Sequence, residues 1–396
     1  MKGSGGAGSG DETLDPYPDW KQARAECPVG KRSLFGGETV RVVLREDVEA
    51  VLRQDELFSS SINQDTMGPY MGTVLLGKNG KEHTSYRNLV SHAFRASALE
   101  RWDRELIRPT IEALLDAVAP RGRADLVRDV TSQYPVQVIA GIIGVPVQDH
   151  ARFHAWAEDI NGGPLHPERG LAASRAMREY LTPIVEDRKR NPRDDVISDI
   201  ATAEVDGQRL DDEHIYGFLR LLMPAGAETT FRAMGNCLAA LLTRPAELER
   251  VRRDRSLVPR AIEETLRWET SVTMVSRIAT RDTELRGCPI QKGTSVAALV
   301  ASANRDEAVY ADADTWDLDR ELPEPHLSFG WGRHLCLGMH LARLELRVGL
   351  NAILDRLPNL RLDPEAPPPQ ITGLAFRGPE ALPVLFDPGP GVPARA

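Results

Sequence analysis

The chain has 396 residues, 41% hydrophobic and 27% charged, the make-up of a folded protein of enzyme size and not of a disordered chain. Its formal net charge of -9 argues against sequence-independent nucleic-acid binding, which needs basic surface to neutralise phosphates. No apolar stretch reaches the roughly 18 residues that span a bilayer, and the N-terminus lacks a basic-then-apolar signal, so a cytoplasmic protein with no membrane or nucleic-acid partner is expected.

Residues 1–16 open MKGSGGAGSGDE and read as a flexible tail. Residues 17–396 then read as one domain, since no internal linker or repeat divides them. The early run ETVRVVL alternates as a strand does. Apolar spacing of 3.6 predicts helices over Arg45–Arg53, Glu82–Phe94, Leu99–Val118, Val127–Ile143, Gln148–Ile160, Arg169–Arg188 and Asp211–Leu242. The stretch SSINQDTMGPYMGTVLLG, residues 60–77, reads as a loop. From Val272 to Val300 strand patterns return, and GCPIQKGTSVAALV reads as a hairpin about Lys292-Gly293. A last helix is expected from Leu337, followed by the extended connection DPEAPPPQ and a closing apolar segment. The fold class is therefore mainly α, a single large helical domain with small β-sheet regions.

Four cysteines are scattered with no Cys-x-x-Cys pair, so no zinc site or disulfide framework is suggested. Cys237 lies among apolar residues and reads as core, whereas Cys336 lies in FGWGRHLCLG, directly ahead of the expected helix. A helix N-terminus and the nearby Arg333 and His334 favour a thiolate there. Gly330 and Gly332 permit a tight turn, and Gly338 lets a flat ligand approach the backbone. A buried structural cysteine beside a glycine-rich turn explains the same residues.

Three other stretches carry chemistry-bearing side chains. The pattern around LLMPAGAETTFRAMG is apolar nearly all round, so the carboxylate of Glu228 and the hydroxyls of Thr229 and Thr230 within it call for a partner or a function. Pro224 removes the N–H that would bond the Arg220 carbonyl, and a kink or widened groove is expected. Glu264 and Arg267 lie one turn apart, and His83 and Arg87 share a helical face; alone, either pair fits a solvated surface.

Taken together, Phe329-x-x-Gly332-x-x-x-Cys336-x-Gly338, Ala225-Gly226-Ala227-Glu228-Thr229-Thr230 and Glu264-x-x-Arg267 resemble the motifs of the cytochrome P450 family, in the family's order and from about Asp19 to Phe386. The resemblance implies a P450-like haem domain with haem b, ligated at iron by Cys336 and flanked by Phe329 and Gly338. It implies Glu228 and Thr229 as the acid-alcohol pair that passes protons to dioxygen. His83, Arg87, Arg277 and His334 match propionate contacts, and Glu264, Arg267 and Arg320 the structural triad. Positions that line the site in relatives fall on Met223, Ala227, Val272, Thr273, Met274, Val275, Leu374 and Phe376, with the 60–77 stretch. Departures are Pro224, Ala227 and Ser271, the last standing where relatives usually have proline.

The implied activity is insertion of one oxygen atom from O2 into a hydrophobic small molecule by a monomeric enzyme. Electrons would come from an iron–sulfur ferredoxin with its NAD(P)H-dependent reductase, since no dinucleotide fingerprint or length for a reductase domain is present. Arg333, Arg343 and Arg347 flank the cysteine loop as a candidate docking patch. The mostly apolar walls, with Met67, Met71, Met223 and Met274, suit a neutral terpenoid, steroid or aromatic. The alternatives are a peroxide-driven hydroxylase, a non-catalytic haem sensor, and a helical small-molecule binder without haem.

Overall fold

The computed structural model describes residues 15–34, 37–91, 94–205 and 207–389. Most of the tail expected at 1–16 lies outside the described residues.

The fold is built around the helix Asp212–Leu242. Asp211 caps its start, accepting from the His214 N–H at 2.9 Å. Residues on every side of this helix are buried, because helices Tyr134–Ile143, His150–Asn161, Val258–Trp268 and Met339–Arg356 pack around it. Pro224 lies inside the helix without breaking it: one lost backbone bond is small against the packing on all sides.

Two expected helices are each divided at a proline. Leu99–Val118 resolves into Ala96–Trp102, a wide turn over Asp103–Ile107, and Arg108–Val118 with Pro109 in its first turn. Val127–Ile143 begins likewise as a wide turn at Val127–Thr131, and its α-helix, Tyr134–Ile143, has Pro135 in the first turn. The wider turn accommodates a residue with no N–H to donate. The stretch read as a loop at 60–77 contains the helix Ile62–Met71 and a short turn at Leu75–Gly77. Gln64 holds its end, donating to Gly72 O at 3.0 Å and accepting from Val74 N at 3.1 Å.

A five-stranded sheet runs in the spatial order Val29–Leu34, Gly37–Val42, Ser295–Ala298, Val275–Ala279, Phe58–Ser59. The hairpin expected about Lys292-Gly293 does not form. Ser295–Ala298 pairs instead with Val275–Ala279 and Gly37–Val42, and Cys288–Ile290 pairs with Thr283–Leu285. The two-residue turn of that hairpin is Arg286-Gly287, both at positive φ (49° and 75°), as a tight hairpin requires. Gly293, at φ 83°, turns the chain from one sheet to another.

Candidate functional site

The cysteine loop owes its shape to its glycines. Gly330 and Gly332 sit at φ 75° and 71°, and a Cβ on Gly332 would lie 2.9 Å from the Leu52 carbonyl oxygen. The loop closes when Cys336 N donates to Phe329 O at 2.8 Å and Leu335 N to Gly332 O at 3.1 Å. The following helix starts at Met339, two residues later than expected, so Cys336 stands before its first turn. Nothing lies within 4 Å of where a Gly338 Cβ would be.

Cys336 is exposed by area, yet the protein around its sulfur pushes the thiol pKa up. Burial is the largest influence, with the Gly338 backbone, Arg87 and Arg343 acting the other way. A metal cation, which deprotonates a coordinating thiol outright, would offset that influence.

Two histidines and two arginines converge beside it. The rings of His83 and His334 lie 4.1 Å apart, and His334 Nε2 is 3.1 Å from Ser60 Oγ. His83 Nδ1 and Arg277 Nε are buried with no hydrogen-bond partner, in side chains 1% and 2% exposed. Burial lowers all four pKa values. His83 falls to about 4, aided by Arg87 and Arg333, and His334 to about 3, aided by Arg277 and His83. Arg277 falls to about 10, and Arg87 falls as well while feeling the Cys336 sulfur. Asp55, the carboxylate that acts on this group, already accepts from Arg333 at 2.8 Å. Orphaned buried donors and unneutralised positive charge beside a sulfur donor fit a metal-bearing ligand that carries carboxylates, as an iron porphyrin does.

On the long helix, Ala225 is exposed, between buried Pro224 and half-buried Gly226. Thr229 Oγ1 donates to Ala225 O at 2.8 Å. Glu228 Oε1 accepts from Arg232 Nε and Nη2 at 2.8 and 2.6 Å, an i,i+4 pairing that the sequence already contained. Met223 and Ala227 do not share this face: each is two residues from Ala225, about 200° around the helix, and both are buried in the main core.

The other expected wall segments do meet. Thr273 N donates to Ala375 O at 3.0 Å, Thr273 Oγ1 donates to Leu374 O, and Val272 bridges Phe376. Val272, Val275, Leu374 and Phe376 are half-buried. Thr273 is fully buried, and Met274 packs with Tyr17, Trp20 and Leu299.

Glu264 and Arg267 are buried and not solvated. Two Arg267 nitrogens donate to the Glu264 carboxylate at 2.8 and 2.7 Å, and Arg320 Nε adds a third bond at 3.0 Å. The remaining Arg267 and Arg320 donors tie down carbonyls of residues 304–315. Of the candidate docking arginines, Arg333 is bound to Asp55 and Arg343 to Glu263; Arg347 is exposed. Cys237 is buried, and burial pushes its thiol up to about 12.

Sequence reasoning missed Ser60, whose contact with His334 spans 274 positions and leaves no local signal.

Comparison with known proteins gives a consistent picture. The family model "Cytochrome P450" matches residues 164–381. A steroid C26-monooxygenase of Mycolicibacterium smegmatis is 34% identical over 379 residues, 93% of this chain and 92% of that protein. A nocardicin C N-oxygenase of Nocardia uniformis is 36% identical over 388 residues, 94% and 96% of the two chains. The crystal structure of CYP109E1 from Bacillus megaterium in complex with corticosterone superposes with a TM-score of 0.85 at 30% identity, over 95% of this chain and all of that one (100%).

Proposed function

The chain belongs to the cytochrome P450 family of haem-binding monooxygenases, which act on small-molecule substrates, and on that premise we propose that residues 17–396 form one haem domain with Cys336 as the iron ligand. The observation that carries the assignment is the meeting of the free Cys336 thiol with buried polar atoms that lack hydrogen-bond partners, His83 Nδ1 and Arg277 Nε. His83, Arg87, Arg277 and His334 would hold the propionates of haem b, Ser60 orienting His334. Phe329 closes the cysteine loop, and Gly338 leaves space for the flat face of the macrocycle. When bound, the haem supplies the redox-active iron at which dioxygen is reduced by two electrons and one oxygen atom enters the substrate.

Thr229 and Glu228 handle the protons. Because the Thr229 hydroxyl donates to Ala225 O, its lone pairs are left to accept, and it passes its own proton on only by releasing Ala225 O as it accepts another. Glu228 is held by Arg232 and must loosen that pairing to pass a proton on. The half-buried residues Val272, Val275, Leu374 and Phe376 form an apolar wall that suits a neutral hydrophobe. Met223, Ala227, Thr273 and Met274 would act behind that wall, through packing and backbone bonds.

Electrons come from an iron–sulfur ferredoxin and its NAD(P)H-dependent reductase, with Arg347 and Arg333 the exposed docking cations. The enzyme works as a cytoplasmic monomer; no helix among the described residues is long and apolar enough to cross a membrane.

The test begins with a panel of testosterone, limonene and naphthalene, scored by low-to-high-spin conversion of the haem. With the compound that converts best, Thr229→Ala is expected to keep binding but to lower product formed per NADH at least tenfold, within the usual contribution of a positioned proton donor. Unchanged coupling would remove Thr229 from the relay.

A further inference from the structure

We infer that Ser271 is a positioning residue that sets the Thr229 turn of the long helix in register with the apolar wall. The inference rests on the proton-handling role proposed for Thr229. Ser271 follows the Glu264–Arg267 helix, is 6% exposed, and donates from Oγ to the Thr229 carbonyl oxygen at 2.8 Å. Its own carbonyl accepts from Arg377 N at 2.9 Å. Its chain neighbour, Val272, bridges Phe376. One hydrogen bond and one peptide link therefore join the Thr229 peptide plane to the wall against which a substrate would rest.

The rest of this segment is held firmly enough to transmit position. Glu269 accepts from Tyr17 OH at 2.9 Å and from Arg377 Nε at 2.7 Å. Arg377 also donates to Gly373 O at 2.9 Å and Ile371 O at 3.1 Å, pinning the turn that carries Leu374 and Phe376. Asn236, two helical turns beyond Thr229, donates to Glu269 O at 3.0 Å and Arg377 O at 3.3 Å. The segment is thus fastened to the long helix through Asn236 and through Ser271.

At Thr229 the peptide carries two hydroxyl contacts: its side chain bonds back to Ala225 O, and its carbonyl receives Ser271. The first fixes the rotamer of the hydroxyl. The second fixes the peptide plane from which that side chain projects. A residue without a side-chain donor at 271 leaves the wall and the helix in place but removes one of the bonds that hold the plane, and the hydroxyl then samples positions out of register with the substrate. The consequence is a change in where the electrons go. Coupled turnover takes substrate, O2, two electrons and two protons to hydroxylated product and water; uncoupled turnover takes O2, two electrons and two protons to hydrogen peroxide.

The experiment compares Ser271→Ala, Ser271→Pro and Ser271→Thr in the haem-loaded protein, beside Thr229→Ala. Amide hydrogen exchange over residues 225–233 should quicken about fivefold in the alanine and proline variants, the net effect of one hydrogen bond, and return to the native rate with threonine. With the best-converting panel compound, product per NADH should fall by a similar factor in the first two variants and recover in the third, while the dissociation constant stays put. Native exchange rates in Ser271→Ala would overturn the inference whether or not a panel compound binds. Native coupling in Ser271→Ala alongside uncoupling in Thr229→Ala would overturn it and leave the role of Thr229 standing. If Thr229→Ala itself stays coupled, the proposed relay fails and this inference fails with it.

Discussion

The histidines beside the cysteine show how one environment fixes both a charge state and a pH response. His83 and His334 have pKa values near 4 and 3 in the fold, against 6.5 when free. Above pH 6.5 both are neutral folded or unfolded, and they add no pH dependence. As pH falls below 6.5 the unfolded chain gains protons that the folded chain refuses, so stability drops until about pH 4 to 3. The unfolding midpoint of the haem-free chain should therefore decline across that window, and an H83N/H334N double variant should decline less. A decline no smaller in the double variant would mean that other groups govern acid sensitivity. Among residues of this kind, the family resemblance pointed to His83, but the local sequence said nothing of its ring contact with His334 or its orphaned nitrogen, because both depend on segments far along the chain.

At the scale of elements, the buried ion cluster and the cysteine loop are stabilised by different means. Arg267, with no exposed surface, is surrounded by the Glu264 carboxylate and the carbonyls of Asn304, Ala313 and Thr315. Arg267→Ala leaves Glu264 buried with a broken partnership, a change that costs about 3–5 kcal/mol and thus much of the stability of an ordinary fold. The loop instead depends on backbone conformation. Gly332→Ala must strain a positive φ and push against the Leu52 carbonyl, at about 1–3 kcal/mol. Urea midpoints on both variants should rank Arg267→Ala as the larger loss, and the reverse order would contradict the reading of Arg267 as the deeper anchor. The Glu-x-x-Arg spacing was visible in sequence, but its burial was not, since an i,i+3 pair looks the same on a wet face.

For the whole molecule, sequence revealed whatever is encoded locally. Helical spacing anticipated Arg45–Arg53 to the residue and the long helix to within one, and the motif order pointed to the family. What it could not show are relations between distant segments. The pairing partner of Ser295–Ala298 was misjudged because Lys292-Gly293 looks like a hairpin turn whichever sheet the next strand joins. Met223 and Ala227 were chosen as positions that line the site in relatives, whereas the helical period turns them away from Ala225. Ser271 meets Thr229 across 42 positions, a contact visible only once the fold is assembled.

The central claim is that the Cys336 sulfur, beside these histidines and arginines, binds the haem iron as a thiolate. The most direct measurement is the absorption spectrum of the reduced carbon-monoxide complex of the native chain beside Cys336→Ser and Cys237→Ser. The native chain and Cys237→Ser should both show the strongly red-shifted Soret band of thiolate ligation, and Cys336→Ser should lack it. The same band in Cys336→Ser, or its loss in Cys237→Ser with Cys336 intact, would contradict the account.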